Sequence, residues 1–109
     1  MRYLLPCLGL GAAIAASAAV ALTAAEPRDP EAIYNHQCSW CHAAGEWGTR
    51  SLARRVPAGE AELLKRKDLP PAYTRIVVRR GIGSMPQFAP TELTDAELDA
   101  LANWLEERN

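Results

Sequence analysis

Five consecutive residues, Cys38-Ser39-Trp40-Cys41-His42, set two thiols three positions apart and an imidazole directly after the second. On a helical turn, two thiols at that spacing can each add across one vinyl group of a haem. The adjoining histidine then falls under the iron, so the run reads as a c-type haem attachment motif. A soft sulfur ligand follows 43 residues after His42, at Met85. It stands in front of Pro86 and behind Gly81-Ile82-Gly83-Ser84, a run flexible enough to cross the other face of a flat cofactor. His/Met ligation raises a haem potential and leaves the iron no open site for substrate. His36 competes for the sixth position, but it shares a helix with His42 and reads as a surface residue.

Other chemistries fit these residues less well. A thioredoxin-like pair needs a βαβ context and usually a tryptophan before the first cysteine, whereas Trp40 lies inside the pair. Zinc held by His36, Cys38, Cys41 and His42 would crowd four ligands into seven residues. A Cys38–Cys41 disulfide would close too small a loop to stabilise much. A haem peroxidase or a ligand sensor would need a labile sixth site, against which Met85 argues.

The elements that must position the motif belong to a small domain. The chain has 109 residues, 49% of them hydrophobic, and a net charge of −1. Much of the apolar content lies in residues 1–25, where Arg2 precedes Leu4, Leu5, Leu8, Leu10 and an alanine-rich run to Leu22. Small residues at Thr23 and Ala25 suit signal peptidase, so residues 1–25 read as a signal peptide cleaved after Ala25, with Ala21 a second candidate. The segment from Leu4 to Ala25 is also long enough to cross a bilayer as an uncleaved anchor, but no stop-transfer cluster follows it. Cys7 is lost with the signal. The product is a periplasmic domain of residues 26–109 with no stable membrane span. Its 84 residues carry a single phenylalanine, so folding is expected to lean on a cofactor.

Helix signals dominate this domain. Asp29-Pro30-Glu31 starts a helix that runs through Ile33 and Tyr34 towards Cys38. Gly45 and Gly48 mark a loop after the motif, and Leu63 and Leu64 belong to a short amphipathic run. Asp68-Leu69-Pro70-Pro71 opens another helix, with apolar Leu69, Tyr73, Ile76 and Val77 at helical spacing and Gly81 as the stop. Thr94-Asp95-Ala96-Glu97 is a capping box, and Leu98, Leu101, Ala102 and Leu105 line one face of the last helix, with Trp104 beside it. The expected fold is all-α, four to five short helices around one covalently bound haem.

Residues 30–106 resemble the class I monohaem c-type cytochromes. The resemblance rests on Tyr34 before the motif, Cys38 to His42, Met85-Pro86 with Phe88 following, and Ala102-Asn103-Trp104-Leu105. More narrowly, Leu69-Pro70-Pro71-Ala72-Tyr73, Ile76-Val77-Val78-Arg79 and Met85-Pro86-Gln87-Phe88 are similar to the cytochrome subunit of 4-cresol dehydrogenase-type flavocytochromes. The resemblance implies an electron-transfer protein rather than an enzyme. It implies one haem c, held by Cys38 and Cys41 with His42 and Met85 on the iron. A flavoprotein dehydrogenase would be the donor, and a second protein the acceptor. A freely diffusing carrier serving another dehydrogenase or a terminal oxidase is the alternative.

Two positions depart from the family pattern. Pro30 stands where a glycine usually lets the N- and C-terminal helices cross. Gly48-Thr49-Arg50-Ser51-Leu52 lacks the proline whose carbonyl accepts from the proximal imidazole. Trp47, Tyr73 and Arg80 are candidate donors to the haem propionates. The small net charge argues against nucleic acid as a partner, yet it is unevenly spread. Residues 50–80 carry nine basic and three acidic side chains, residues 91–109 one basic and six acidic, and residues 26–49 one basic and four acidic. A basic face of that kind would steer an acidic partner.

Overall fold

The computed structural model describes residues 25–108. Residues 1–24, the segment read as a signal apart from Ala25, with Cys7 and the alternative cleavage position, lie outside the described residues. Helix formation starts where the sequence predicts: the Asp29 carboxylate accepts from the Ala32 N–H at 3.0 Å. Pro30 takes the first helical position, where a missing N–H costs nothing.

The first rod is continuous from Pro30 to His42, but it widens midway. It comprises α1 (Pro30–Ile33), a π-helical turn (Tyr34–Cys38) and α2 (Ser39–His42). The Ser39 N–H reaches back five residues to the Tyr34 carbonyl, which defines the wider turn. The carbonyls inside it find side-chain donors from the turn that follows. Ser39 Oγ donates to Asn35 O at 2.7 Å and Trp40 Nε1 to His36 O at 3.1 Å. Nothing in the residue spacing signals this turn, and π turns inside α-helices often mark functional sites.

Three further rods follow. They are α3 (Trp47–Leu52), α4 (Pro71–Arg80) and α5 (Asp95–Glu107), with a short 3₁₀ turn (Leu63–Lys65) before α4. α3 occupies part of the expected loop. α4 starts with Pro71 after Pro70 and stops at Gly81, whose φ of 68° ends the helix. α5 carries the reciprocal capping box, with Thr94 Oγ1 accepting from the Glu97 N–H and Glu97 accepting from the Thr94 N–H at 2.9 Å.

The core forms where α1 and α4 pack on α5. It comprises Ile33 and Tyr34, Val78, Leu93, and Leu98, Leu101 and Leu105, with Leu69 at its edge. Tyr34 also meets Trp104, ring centroids 5.9 Å apart, so the helix contact survives Pro30, which lies a turn earlier. Arg28 clamps this crossing. Its Nε donates to Glu97 Oε1 at 2.6 Å and its terminal nitrogen to Glu92 O at 2.9 Å. The Arg28 guanidinium, with the Thr94 N–H, holds the Glu97 carboxyl well below the usual carboxylate range. Among the described residues there is no strand, and no helix is long and apolar enough to cross a membrane. The architecture is the expected all-α small cytochrome c fold.

Candidate functional site

Cys38, Cys41 and His42 share the end of the first rod, with Cys38 closing the π turn and the other two on α2. Both thiols are free. Cys38 packs against the core, and burial pushes its thiol up to about 11. Cys41, one turn on, is exposed. His42 is half-buried, and desolvation lowers its pKa, which favours the neutral imidazole, the form that ligates a metal. Its Nδ1 is buried without a hydrogen-bond partner. This matches the missing proline after the motif and leaves Nε2 as the ring atom available for a ligand bond.

The turn after His42 is built with care. Gly45 takes a φ of 78°, and the Ala43 carbonyl accepts from the Glu46 N–H at 3.2 Å and from Thr49 Oγ1 at 2.7 Å. Gly48 is buried against the motif itself: a Cβ there would sit 2.6 Å from the Cys41 carbonyl oxygen. Glycine therefore appears in α3 because two backbones touch. Gly48 read as loop punctuation in the sequence, and its role together with that of buried Thr49 was missed.

Met85 comes from the loop after α4 and packs, with Phe88, against the same core that Cys38 borders. The loop turns tightly. The Met85 N–H donates to Ile82 O at 2.9 Å and the Ile82 N–H to Met85 O at 3.2 Å. Gly83 lies between them at a φ of 57° while Ser84 keeps a negative φ, the arrangement of a II′ turn. Gly81 lets the loop fold back closely, since a Cβ on it would lie 2.7 Å from Met85 O.

α4 presents its apolar residues differently from the expected pattern. Thr74 and Val78 are buried, whereas Tyr73 is 46% and Ile76 54% exposed. The helix is apolar on two faces, and only one of them meets α5. Tyr73 and Ile76, one turn apart, are joined by Trp47 and Ile82 as large apolar side chains left at the surface. Trp40 is the most open of all, 77% exposed. His36 is exposed and borders a shallow hollow with Arg28, Asp29 and Ala32. Among the described residues no three of His, Cys, Asp or Glu gather to hold a metal ion.

Ion pairing thins the basic stretch. Lys65, Arg66, Arg75 and Arg79 are paired to Glu62, Asp68, Asp99 and Asp95. Arg50, Arg54, Arg55, Lys67 and Arg80 remain exposed, and their charged groups pair with no acidic side chain among the described residues, although the Lys67 N–H donates to Glu60 Oε2 at 3.5 Å.

A family model described as cytochrome C oxidase, cbb3-type, subunit III matches residues 25–105. No curated protein and no solved structure matches the chain.

Proposed function

Since the chain belongs to the cytochrome C oxidase, cbb3-type, subunit III family, a class I c-type cytochrome with covalent haem c, we propose that Cys38 and Cys41 attach the haem and that His42 and Met85 ligate its iron. Membership makes the protein one of electron transfer rather than an enzyme. When bound, the haem supplies a one-electron couple between ferric and ferrous iron. The protein's residues do the rest. Cys38 and Cys41 fix the ring by two thioethers. His42 offers neutral Nε2, and Met85 offers a thioether sulfur that favours the ferrous state. Tyr73, Ile76, Trp47 and Ile82 would shield the bound ring from water, and Trp47, Tyr73 and Arg80 are the proposed donors to its propionates.

The observation that carries this reading is the gathering of two thiols and an imidazole on one helical turn. Two thiols and a half-buried imidazole, whose burial disfavours its charged form, sit together at the end of the first rod. Tyr73 and Ile76 stand exposed on the helix that delivers Met85. Large apolar side chains in that position suit a flat hydrophobic group better than water. Replacing the thioether tests the ligand assignment. Met85→Ala should keep the haem attached, open the iron to azide or carbon monoxide, and lower the potential. An unchanged spectrum and potential would refute Met85 and point to His36.

Export to the periplasm, with cleavage after Ala25, is part of the same proposal, because haem attachment of this kind belongs to exported chains. As donor we propose a flavoprotein dehydrogenase of the phenol-oxidising type, from the resemblance at Leu69–Tyr73 and Met85–Phe88. The family's description favours a second reading, a carrier that delivers electrons to a terminal oxidase. Co-purification with a flavoprotein at fixed stoichiometry supports the first; a rate of reduction that falls with salt, with no stable partner, supports the second.

A further inference from the structure

Arg79 is one of two arginines in the last turn of α4 and lies one turn beyond Arg75, and the side chains of Arg75 and Arg79 do different things. Arg75 pairs with Asp99 and Asn103, joining α4 to α5 alone. Arg79 is turned towards the loop that carries Met85. Its guanidinium donates to the Phe88 carbonyl at 3.0 Å, to the Leu93 carbonyl at 2.9 Å and to Asp95 Oδ1 at 2.6 Å. Next to it, the Val78 carbonyl accepts from the Phe88 N–H at 2.9 Å. Phe88 is therefore tied to the end of α4 through both of its backbone polar groups.

These ties matter because the stretch from Met85 to Phe88 has few others. Pro86 has no N–H to give. Among the described residues, the Met85 backbone pairs only with Ile82, and Arg79 supplies the only side-chain hydrogen bond to residues 85–88. The N-terminal flank of Met85 is thus held by the Ile82 turn, and the C-terminal flank by the pair formed from Val78 and Arg79. A planar guanidinium with five donors can serve three acceptors at once; an ammonium is a point charge and cannot reproduce that fork.

We infer that Arg79 is a positioning residue for Met85: by clasping Phe88 and Leu93 it sets the fraction of molecules in which the Met85 sulfur stays on the iron. The inference rests on the assignment of Met85 as axial ligand. Without the guanidinium, the Phe88 and Leu93 carbonyls lose their donor, and the far flank of the Met85 loop is released. An external ligand competes with Met85, so its apparent affinity reports the open fraction directly.

The test is azide titration of the oxidised, haem-loaded protein, together with its methionine–iron absorption band and amide hydrogen exchange at Phe88. Arg79→Gln should raise apparent azide affinity about tenfold, weaken the band and lower Phe88 protection. Arg79→Lys should fall between it and the parent, and it serves in its place if the glutamine variant yields no holoprotein. Arg75→Gln, which removes an α4–α5 pair but no tie to the loop, should leave azide affinity unchanged. Met85→Ala is the reference for full opening. If Met85→Ala opens the iron while the Arg79 variants match the parent, or match Arg75→Gln, the clasp is refuted and the ligand assignment stands. If Met85→Ala leaves azide affinity unchanged, the ligand assignment falls and the clasp with it.

Discussion

Gly48→Ala sets two opposed effects against each other at the back of the attachment motif. Gly48 lies in α3 and has no need of left-handed backbone, so the substitution adds a methyl group without backbone strain. Helix propensity alone favours alanine, by up to about 1 kcal/mol. The methyl group, however, would lie 2.6 Å from Cys41 O, 3.2 Å from Cys41 C and 3.3 Å from Cys41 Cβ. The first two are main-chain atoms that cannot swing aside. A normal carbon–oxygen contact begins at about 3.3 Å, so α3 and α2 must part by about 0.7 Å, and overpacking of this kind costs about 1–3 kcal/mol. The clash outweighs propensity over most of that range, leaving a net loss of up to about 2 kcal/mol, which for a domain of this size lowers Tm by up to roughly 15 °C. Denaturant and thermal melts of the haem-loaded protein measure it. A Gly48→Ala variant that is more stable than the parent would show propensity unopposed and would refute the close approach of α3 to the motif.

Other outcomes follow from the same geometry. Gly81→Ala should loosen Met85 more than it destabilises α4, because φ is 68° and the added Cβ would press on Met85 O at 2.7 Å; a weakened methionine–iron band checks it. The Glu97 carboxyl is held below its ordinary value by Arg28. Its contribution to stability is complete above the unfolded value of about 4.3 and is lost as pH falls towards the folded one. Glu97→Gln should therefore flatten the acid side of a plot of denaturation midpoint against pH, and an unchanged slope would contradict the clamp. Charge reversal at Arg54 and Arg55, whose side chains pair with no acidic residue among the described residues, should slow reduction by a separate donor at low salt and leave the haem spectrum alone. Reversal at Lys65, already paired to Glu62, should do less.

Much of the fold could be read from local rules because its elements obey them. Asp29 and Thr94 cap helices, Gly81 stops one, and Leu98, Leu101, Ala102 and Leu105 are buried as their spacing predicts. The motif from Cys38 to His42 was legible because its chemistry resides in contiguous residues. Features set by long-range contact were not. Gly48 lowers helix propensity, so the sequence suggests a loop, and only the approach of Cys41 explains a glycine inside α3. Tyr73 and Ile76 have core-like spacing, yet the face they occupy is not the one that α5 covers. Arg79 sits in a basic stretch that reads as solvated surface; two of its three acceptors are main-chain carbonyls, which leave no trace in residue identity. The π turn before the motif likewise depends on carbonyls bonded by Ser39 and Trp40.

The central claim is that Cys38 and Cys41 carry the cofactor, and the most direct measurement is the mass of the protein under denaturing conditions. The full 109-residue chain should be produced in cells that have haem-ligation machinery, purified, denatured and digested. One haem should remain bound, and it should stay on the peptide containing Cys38-Ser39-Trp40-Cys41-His42; Cys38→Ala/Cys41→Ala should abolish it. A denatured chain at its bare polypeptide mass, with both thiols open to alkylation, would contradict the account.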